Sequence, residues 1–207
     1  MRRPVTQPKR ERGKRTRRHL LAAAEAAFGT RGYFETSIID ITRRARVAQG
    51  TFYVYFPSKR SIFTELVQER SRDLRAAIQL AVKEQPERRR VEQLGFEAFF
   101  KFIRRHPAMY RIVRQAEFVD PQLFRWYYRR FADGYIRGLK GAMAAGQIRR
   151  LDPEVLAYCL MGVADFLGMR WVLWEKNGMR AAVQQTMMDF MLHGVDASAG
   201  SMKRRAP

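Results

Sequence analysis

Between residues 49 and 55 the chain sets out side chains suited to hydrogen bonding with a polyanion. Gln49, Thr51, Tyr53 and Tyr55 supply an amide and three hydroxyls. A glutamine amide can pair with an adenine edge, and Thr or Tyr hydroxyls can bond phosphates or bases. Phe52 and Phe56 stand at i and i+4, so they share one face and can anchor a short helix to its own domain. Nothing comparable marks a catalytic centre. His19, His106 and His193 fall in different segments, and none has a second His, a Cys or a carboxylate cluster at metal-ligand spacing. Cys159 has no sequence neighbour that would make it a nucleophile, and no glycine-rich phosphate loop follows a strand. No enzyme activity, metal or cofactor is expected, and His19 reads as a surface residue.

Such a helix needs elements to present it. The stretch 36–60, TSIIDITRRARVAQGTFYVYFPSKR, reads as two short helices joined by a tight turn. Ile38, Ile39 and Ile41 give the first an apolar face; Thr36 or Ser37 is its N-cap, with Asp40 in its first turn. The pattern stops at Arg44-Ala45-Arg46. Small residues open the second helix, and Pro57 closes it, because its ring disfavours a helical residue before it. Ser58 then caps a third helix through Ile62, Phe63, Leu66, Val67 and Leu74. A helix of about two turns with small residues at its front suits entry into a DNA groove.

These features, TSIIDI followed by V-A-Q-G-T-F-Y-V-Y-F-P-S-K and an apolar helix, resemble the DNA-binding helix-turn-helix of the TetR family of bacterial repressors over roughly residues 14–66. The resemblance implies DNA contacts at Thr36, Ser37, Ala48, Gln49, Gly50, Thr51, Tyr53, Tyr55 and Lys59. Two positions depart from the family's common pattern. Arg46 stands where glycine is usual in the turn, and Thr42 where a small alanine is usual. A left-handed Arg46 would cost about 1 kcal/mol; a phosphate contact from its side chain would offset part of that.

Charge supports a polyanion partner, double-stranded DNA. The 207 residues carry 40 Lys/Arg against 20 Asp/Glu, a formal charge of +20. Residues 1–60 hold 15 basic against 4 acidic side chains, the remaining 147 hold 25 against 16, so basic density peaks where the motif lies. A high-GC genome would enrich arginine throughout and does not account for the asymmetry. A single cysteine permits no disulfide within the chain, so a reducing cytoplasm is the expected location. No apolar run approaches the ~20 residues of a membrane span, and no apolar segment follows the charged N-terminus as a secretory signal requires. No membrane partner is expected.

The fold expected is all-α: an N-terminal three-helix helix-turn-helix DNA-binding domain and a C-terminal helical ligand-binding and dimerisation domain. In order, the expectation is a disordered basic arm over 1–13, the DNA-binding domain over 14–60, a connecting helix over 61–84, the effector-binding and dimerisation domain over 85–195, and a flexible tail over 196–207. The arm is either an additional phosphate or minor-groove contact or a solvated tail. Helices are expected over 14–31, 91–105, 108–118, 121–145, from 153 to Asn177-Gly178, and over 179–193. The last two are apolar on more than one face, which one core cannot satisfy in a monomer of this size. A homodimer through 153–175 and 179–193 would cover them, as the resemblance also implies, and would space two reading heads on a palindromic site.

Aromatic and Met side chains crowd the second half. Each is most simply helix-bundle core. Taken together, the family resemblance implies an apolar effector pocket, for which Phe99, Ile103, Tyr110, Phe118, Phe124, Tyr127, Phe131, Met161, Asp165 and Phe166 are the candidate lining. Such pockets are mostly apolar with a few polar anchors; Asp165, Glu117, Arg114, His106 and Arg170 are candidates, and the Asp165 carboxylate needs a partner, an arginine within the fold or dimer before a ligand. The effector expected is small and apolar, long or flat, acyl or aromatic. The expected function is a dimeric, sequence-specific transcriptional regulator, a repressor released by that effector. The competing reading is a charge-driven, sequence-indifferent nucleic-acid-binding protein, since +20 alone gives strong non-specific binding.

Overall fold

The computed structural model describes residues 11–175 and 179–194. The ordered elements among them are helices: α1 Glu11–Arg31, α2 Ile38–Ala45, α3 Gln49–Tyr55, α4 Lys59–Val82, α5 Arg88–Arg105, α6 Pro107–Val119, α7 Pro121–Ala144, α8 Pro153–Leu167, continued by a π-helical stretch Gly168–Trp174, and α9 Ala181–His193. The all-α expectation holds, and most helix ends fall within a few residues of the expected ones. Helix α1 starts at Glu11, earlier than position 14. The arm before it, the Asn177-Gly178 stop and the basic tail lie outside the described residues.

The chain forms two compact units. One joins Met1–Arg75 with His106–Phe131; the other joins Ala76–Arg105 with Ala132–Pro207.

In the first unit α1 packs on α2 and on α6, and α2 packs on α3. Leu20, Ala24, Phe28, Ile41, Phe52, Ile62, Phe63, Leu66, Leu74 and Ala116 are fully buried. Phe28 meets Phe63 edge-on at 5.4 Å between ring centroids, an arrangement the ring quadrupoles favour. Helix α6 is tied to the end of α1 by polar contacts as well. Gln115 accepts from the Tyr33 amide at 2.6 Å and donates to the Phe28 carbonyl, while Arg111 donates to the Gly29 carbonyl. Gly29 is where the two helices touch: a Cβ there would stand 2.4 Å from Ala108 Cβ and 3.0 Å from its Cα. Gly29→Ala is therefore expected to push α6 off α1 and destabilise this unit by about 1–3 kcal/mol, the usual cost of overpacking. Thermal denaturation checks it.

In the second unit α5 packs on α8 and on the π stretch. Phe96, Phe100, Ile103, Leu139, Ala157 and Leu160 form its core. Gly168 allows the close approach, since a Cβ on it would meet Ile103 Cδ1 at 2.7 Å and Phe99 at 3.4 Å. Arg88 pairs with Glu92, whose other oxygen accepts the Tyr135 hydroxyl, joining α5 to α7. Burial and the Glu92 charge push the Tyr135 phenol well above its ordinary pKa, so it stays a donor.

One expectation is corrected. Pro153–Trp174 is a 22-residue helix, long and apolar enough by length and composition to cross a membrane. No single block of apolar letters announces it, because Asp165 and Arg170 interrupt the pattern. Val155, Tyr158, Phe166 and Trp174 on this helix, and Phe190 on α9, are exposed in the single chain. Together α8, the π stretch and α9 border a groove of about 630 Å³ lined by apolar side chains including Val163, Phe166, Trp171, Val183, Met187 and Phe190.

Candidate DNA-reading surface and effector residues

Helix α2 is built at its start by a capping box. Ser37 accepts from the Asp40 amide, and the Asp40 carboxylate accepts from the Ser37 amide and hydroxyl. These bonds, and Arg31 beside them, hold the Asp40 carboxyl below the usual range. Of the three isoleucines, Ile41 alone is fully buried, whereas Ile39 is half-exposed. Ile38, one turn before Ile41 on the same face, is half-buried, while Ile39 is turned to the other side.

Helix α2 ends at Arg46 in the left-handed conformation, φ 56° and ψ 45°. Its amide donates to the Arg43 carbonyl, and the Val47 amide to that of Thr42 at 3.0 Å. This is the glycine-type helix stop made by an arginine. Arg46→Gly is expected to gain about 1 kcal/mol of stability from relieved strain, partly offset by the freer unfolded chain. It is also expected to weaken binding to all DNA and flatten the salt dependence by about one phosphate contact. Thermal melts and DNA titrations over a salt series separate the two effects.

Phe52 and Phe56 are buried with ring centroids 5.7 Å apart, fixing α3 to the unit. The other side of α3 is open: Ala48, Gln49, Gly50 and Tyr53 are exposed, Thr51 and Tyr55 half-buried. Ser37 and Arg46 are exposed as well, so most of the expected contact residues share the surface around α2 and α3. Val54 was not among them and is 57% exposed. Its spacing of three from Thr51 already sets it on the outer face, and a branched apolar side chain there suits a thymine methyl group.

Two of the expected contacts are turned inward. Thr36 is 1% exposed and its hydroxyl donates to the Gly32 carbonyl at 2.7 Å. It closes the α1–α2 loop from inside, leaving Ser37 to face outward. The Lys59 ammonium donates to the carbonyls of Tyr33 (2.8 Å), Phe34 (3.3 Å) and Thr36 (2.8 Å) and lies 4.4 Å from the centre of the Tyr33 ring. Desolvation lowers its pKa, opposed by the charge of Glu35. Lys59 therefore holds the loop that leads into α2.

The ten expected effector residues divide between the units. Tyr110 and Tyr127 are buried in the first, with Phe124 and Phe131 half-buried and Phe118 76% exposed. Phe99 and Ile103 lie together against Gly168 in the second. Met161 and Asp165 are half-buried there, and Phe166 is exposed on the α8–α9 groove.

Comparison with known proteins agrees with this geometry. Residues 20–66 match the model of bacterial regulatory proteins of the tetR family. The uncharacterized HTH-type transcriptional regulator YdgC of Bacillus subtilis (strain 168) is 26% identical over 194 residues, 90% of this chain and 95% of its own length. The fatty acid metabolism regulator protein of the same strain is 22% identical over 182 residues, covering 85% and 93%. The crystal structure of the transcriptional regulator FadR from Bacillus subtilis in complex with stearoyl-CoA shares the fold, with a TM-score of 0.78, 19% identity, and 86% of this chain and 99% of that one covered. The relatives are regulators rather than enzymes. The stretch that matches the tetR family model, residues 20–66, is the one that holds the helix-turn-helix formed by α2 and α3.

Proposed function

We propose that this regulator is a repressor that binds a palindromic operator as a homodimer in the cytoplasm and releases it when a small apolar effector binds. The observation that carries the DNA half is the open side of α3, where Gln49, Thr51, Tyr53, Val54 and Tyr55 surround a buried Phe52–Phe56 anchor. Ser37, Ala48 and Gly50 border it, and Arg46 is the phosphate contact. A charge-driven binder would not need this arrangement.

The second copy is proposed to seat on α8 and α9. Their exposed Phe166, Trp174 and Phe190 make an apolar surface larger than single scattered residues, and an isologous contact would cover it on both chains at once. That reading also accounts for a membrane-length apolar helix in a DNA-binding protein.

For the effector, the reading favoured is a long acyl chain. Phe99, Phe100 and Ile103 of α5 gather against Gly168 at the start of the π stretch, and π segments interrupt helices frequently at functional sites. The regulator crystallised with stearoyl-CoA has the same fold. Effector binding would favour a dimer whose reading heads no longer match the operator. Helix α4, which begins at Lys59 beside the reading surface and ends at Val82, is the proposed lever.

Selection of genomic DNA fragments by the purified protein at about 150 mM salt, where screening suppresses charge-only binding, is expected to return a two-fold-symmetric motif. Gln49→Ala and Tyr53→Ala are each expected to cost about 1–3 kcal/mol at the operator and to relax base preference at one position of each half-site. Enrichment without a motif, or both variants binding like the parent, would refute the reading surface.

A further inference from the structure

Helix α3 is held to its unit by the buried Phe52 and Phe56, and Val54 lies midway between them in sequence. At about 100° of turn per residue, Val54 points about 180° away from the middle of that anchor and Gly50 about 140° away. Thr51 stands at about 120°, and Tyr53 and Tyr55 at about 80° to either side. Val54 is 57% exposed, and Tyr53 is 50% exposed. Gly50 and Val54 are one turn apart, so they share the outermost face. The fold does not require a glycine at position 50. A Cβ there would meet nothing within 4 Å, and the backbone is not left-handed. Ala48, the N-cap residue, makes no side-chain cap hydrogen bond. Glycine and valine are weak helix formers, and an alanine cap leaves the helix start without its usual acceptor. Ala48, Gly50 and Val54 thus each weaken a seven-residue helix, and all three are exposed.

An exposed valine alone is ordinary on a protein surface. Val54, however, stands opposite the anchor and one turn beyond a glycine that the fold does not need. That is the place where a groove-entering helix comes nearest to the base edges. Among the groups that bases present in the major groove, the apolar one is the C5 methyl of thymine. Glycine removes the side chain that would hold a helix off a neighbouring surface. Thr51, Tyr53 and Tyr55 beside the strip can bond phosphates and base edges. We infer that Gly50 and Val54 form the strip of α3 that lies deepest in the major groove. Gly50 lets DNA approach the helix backbone, and Val54 packs on a thymine methyl in each half-site. The inference rests on the operator-binding function proposed above and assigns one base of the operator. Val54 is outside the contacts that the family resemblance implies.

The test uses the full chain and the operator returned by the genomic selection. The operator is resynthesised with uracil in place of thymine, at one matching position of both half-sites at a time. Uracil pairs like thymine and lacks only the methyl. At one such position the parent should bind roughly tenfold more weakly, the effect of losing two buried methyl groups. Val54→Ala should bind the thymine operator at least as weakly as the parent binds that uracil operator. Its own uracil penalty at the same position should shrink below about threefold, the coupling expected of groups in contact. Gly50→Ala moves two readouts in opposite directions. It should melt no lower than the parent, because the space is open and alanine is the better helix former, yet bind the operator at least about tenfold more weakly. No uracil-sensitive thymine, or an equal uracil penalty in Val54→Ala and the parent, would overturn the Val54 contact. Gly50→Ala binding like the parent, or melting below it, would overturn the close approach. A selection that returns no motif would defeat the whole reading surface and this inference with it. A motif without a uracil penalty would defeat the inference alone.

Discussion

Lys59→Met should lower both the stability of the first unit and the affinity for the operator at every salt concentration. The ammonium sits among three backbone carbonyls between Tyr33 and Thr36 and against the Tyr33 ring. Hydrogen bonds to a charged donor contribute more than neutral ones, but the group is only partly buried and solvent screens it. The expected loss is about 1–3 kcal/mol rather than the sum of three full bonds. The loop it releases leads into Ser37 and the α2 cap, so the reading surface loses its alignment as well. A Lys59 that only touched phosphate would behave differently. Its loss would flatten the slope of log affinity against log salt by about 0.9 and leave the melting temperature unchanged. Lys59→Arg sharpens the contrast. The planar guanidinium keeps the charge but does not fan its donors over three carbonyls as a compact ammonium does, so affinity at low salt should recover more than stability does. If Lys59→Met melts with the parent and only the salt slope falls, the loop-holding role is wrong and the phosphate role is right.

This lysine shows where sequence reading stops. The spacing of the TSIIDI and TFYVYFPSK segments gave α2, the turn and α3 because each depends on neighbours a few residues away: a capping serine, a stop at Arg46, two phenylalanines one turn apart. Even the departures from the family pattern were legible in kind. The left-handed Arg46 was anticipated. Thr42, where a smaller residue is usual, is buried and its hydroxyl donates to the Ile39 carbonyl at 3.1 Å. What was not legible is the direction of a long side chain. Lys59 and the Tyr33 carbonyl are 26 residues apart, and no periodicity connects them. The same holds for Gln115 and the Tyr33 amide, separated by 82 residues. They place α6 against α1, although α6 lies in the second half of the chain. The effector residues meet the same limit. Aromatic density says that a core exists, but not which unit each ring enters, and the ten chosen residues divide between both. Phe118 and Phe166 look as apolar as the others yet stand exposed.

The exposed Phe166 leads to the last expected result, that Phe166→Glu combined with Phe190→Glu yields a monomer that no longer holds the operator. Both rings line the α8–α9 groove and both reach solvent in the single chain, 66% and 49% exposed, so glutamates there should leave the monomer folded. In a two-fold dimer each substitution enters the contact twice. Four carboxylates would then be placed in an apolar interface without partners, and an unpaired buried charge costs several kcal/mol. Light scattering on the purified variant should report half the parent mass. Operator affinity should fall at least ~100-fold, because two linked heads gain about 10²–10⁴ over one through effective concentration. The slope against log salt should drop to about half, since one head neutralises half the phosphates. Circular dichroism should stay helical, which separates loss of the contact from loss of the fold. The groove has one competing use, as the seat of the apolar effector. If the double variant stays dimeric and binds the operator normally but no longer releases it with an acyl ligand, the groove belongs to the effector. The second copy would then have to seat elsewhere. Dimeric mass with unchanged operator binding and unchanged release would remove the groove from both roles.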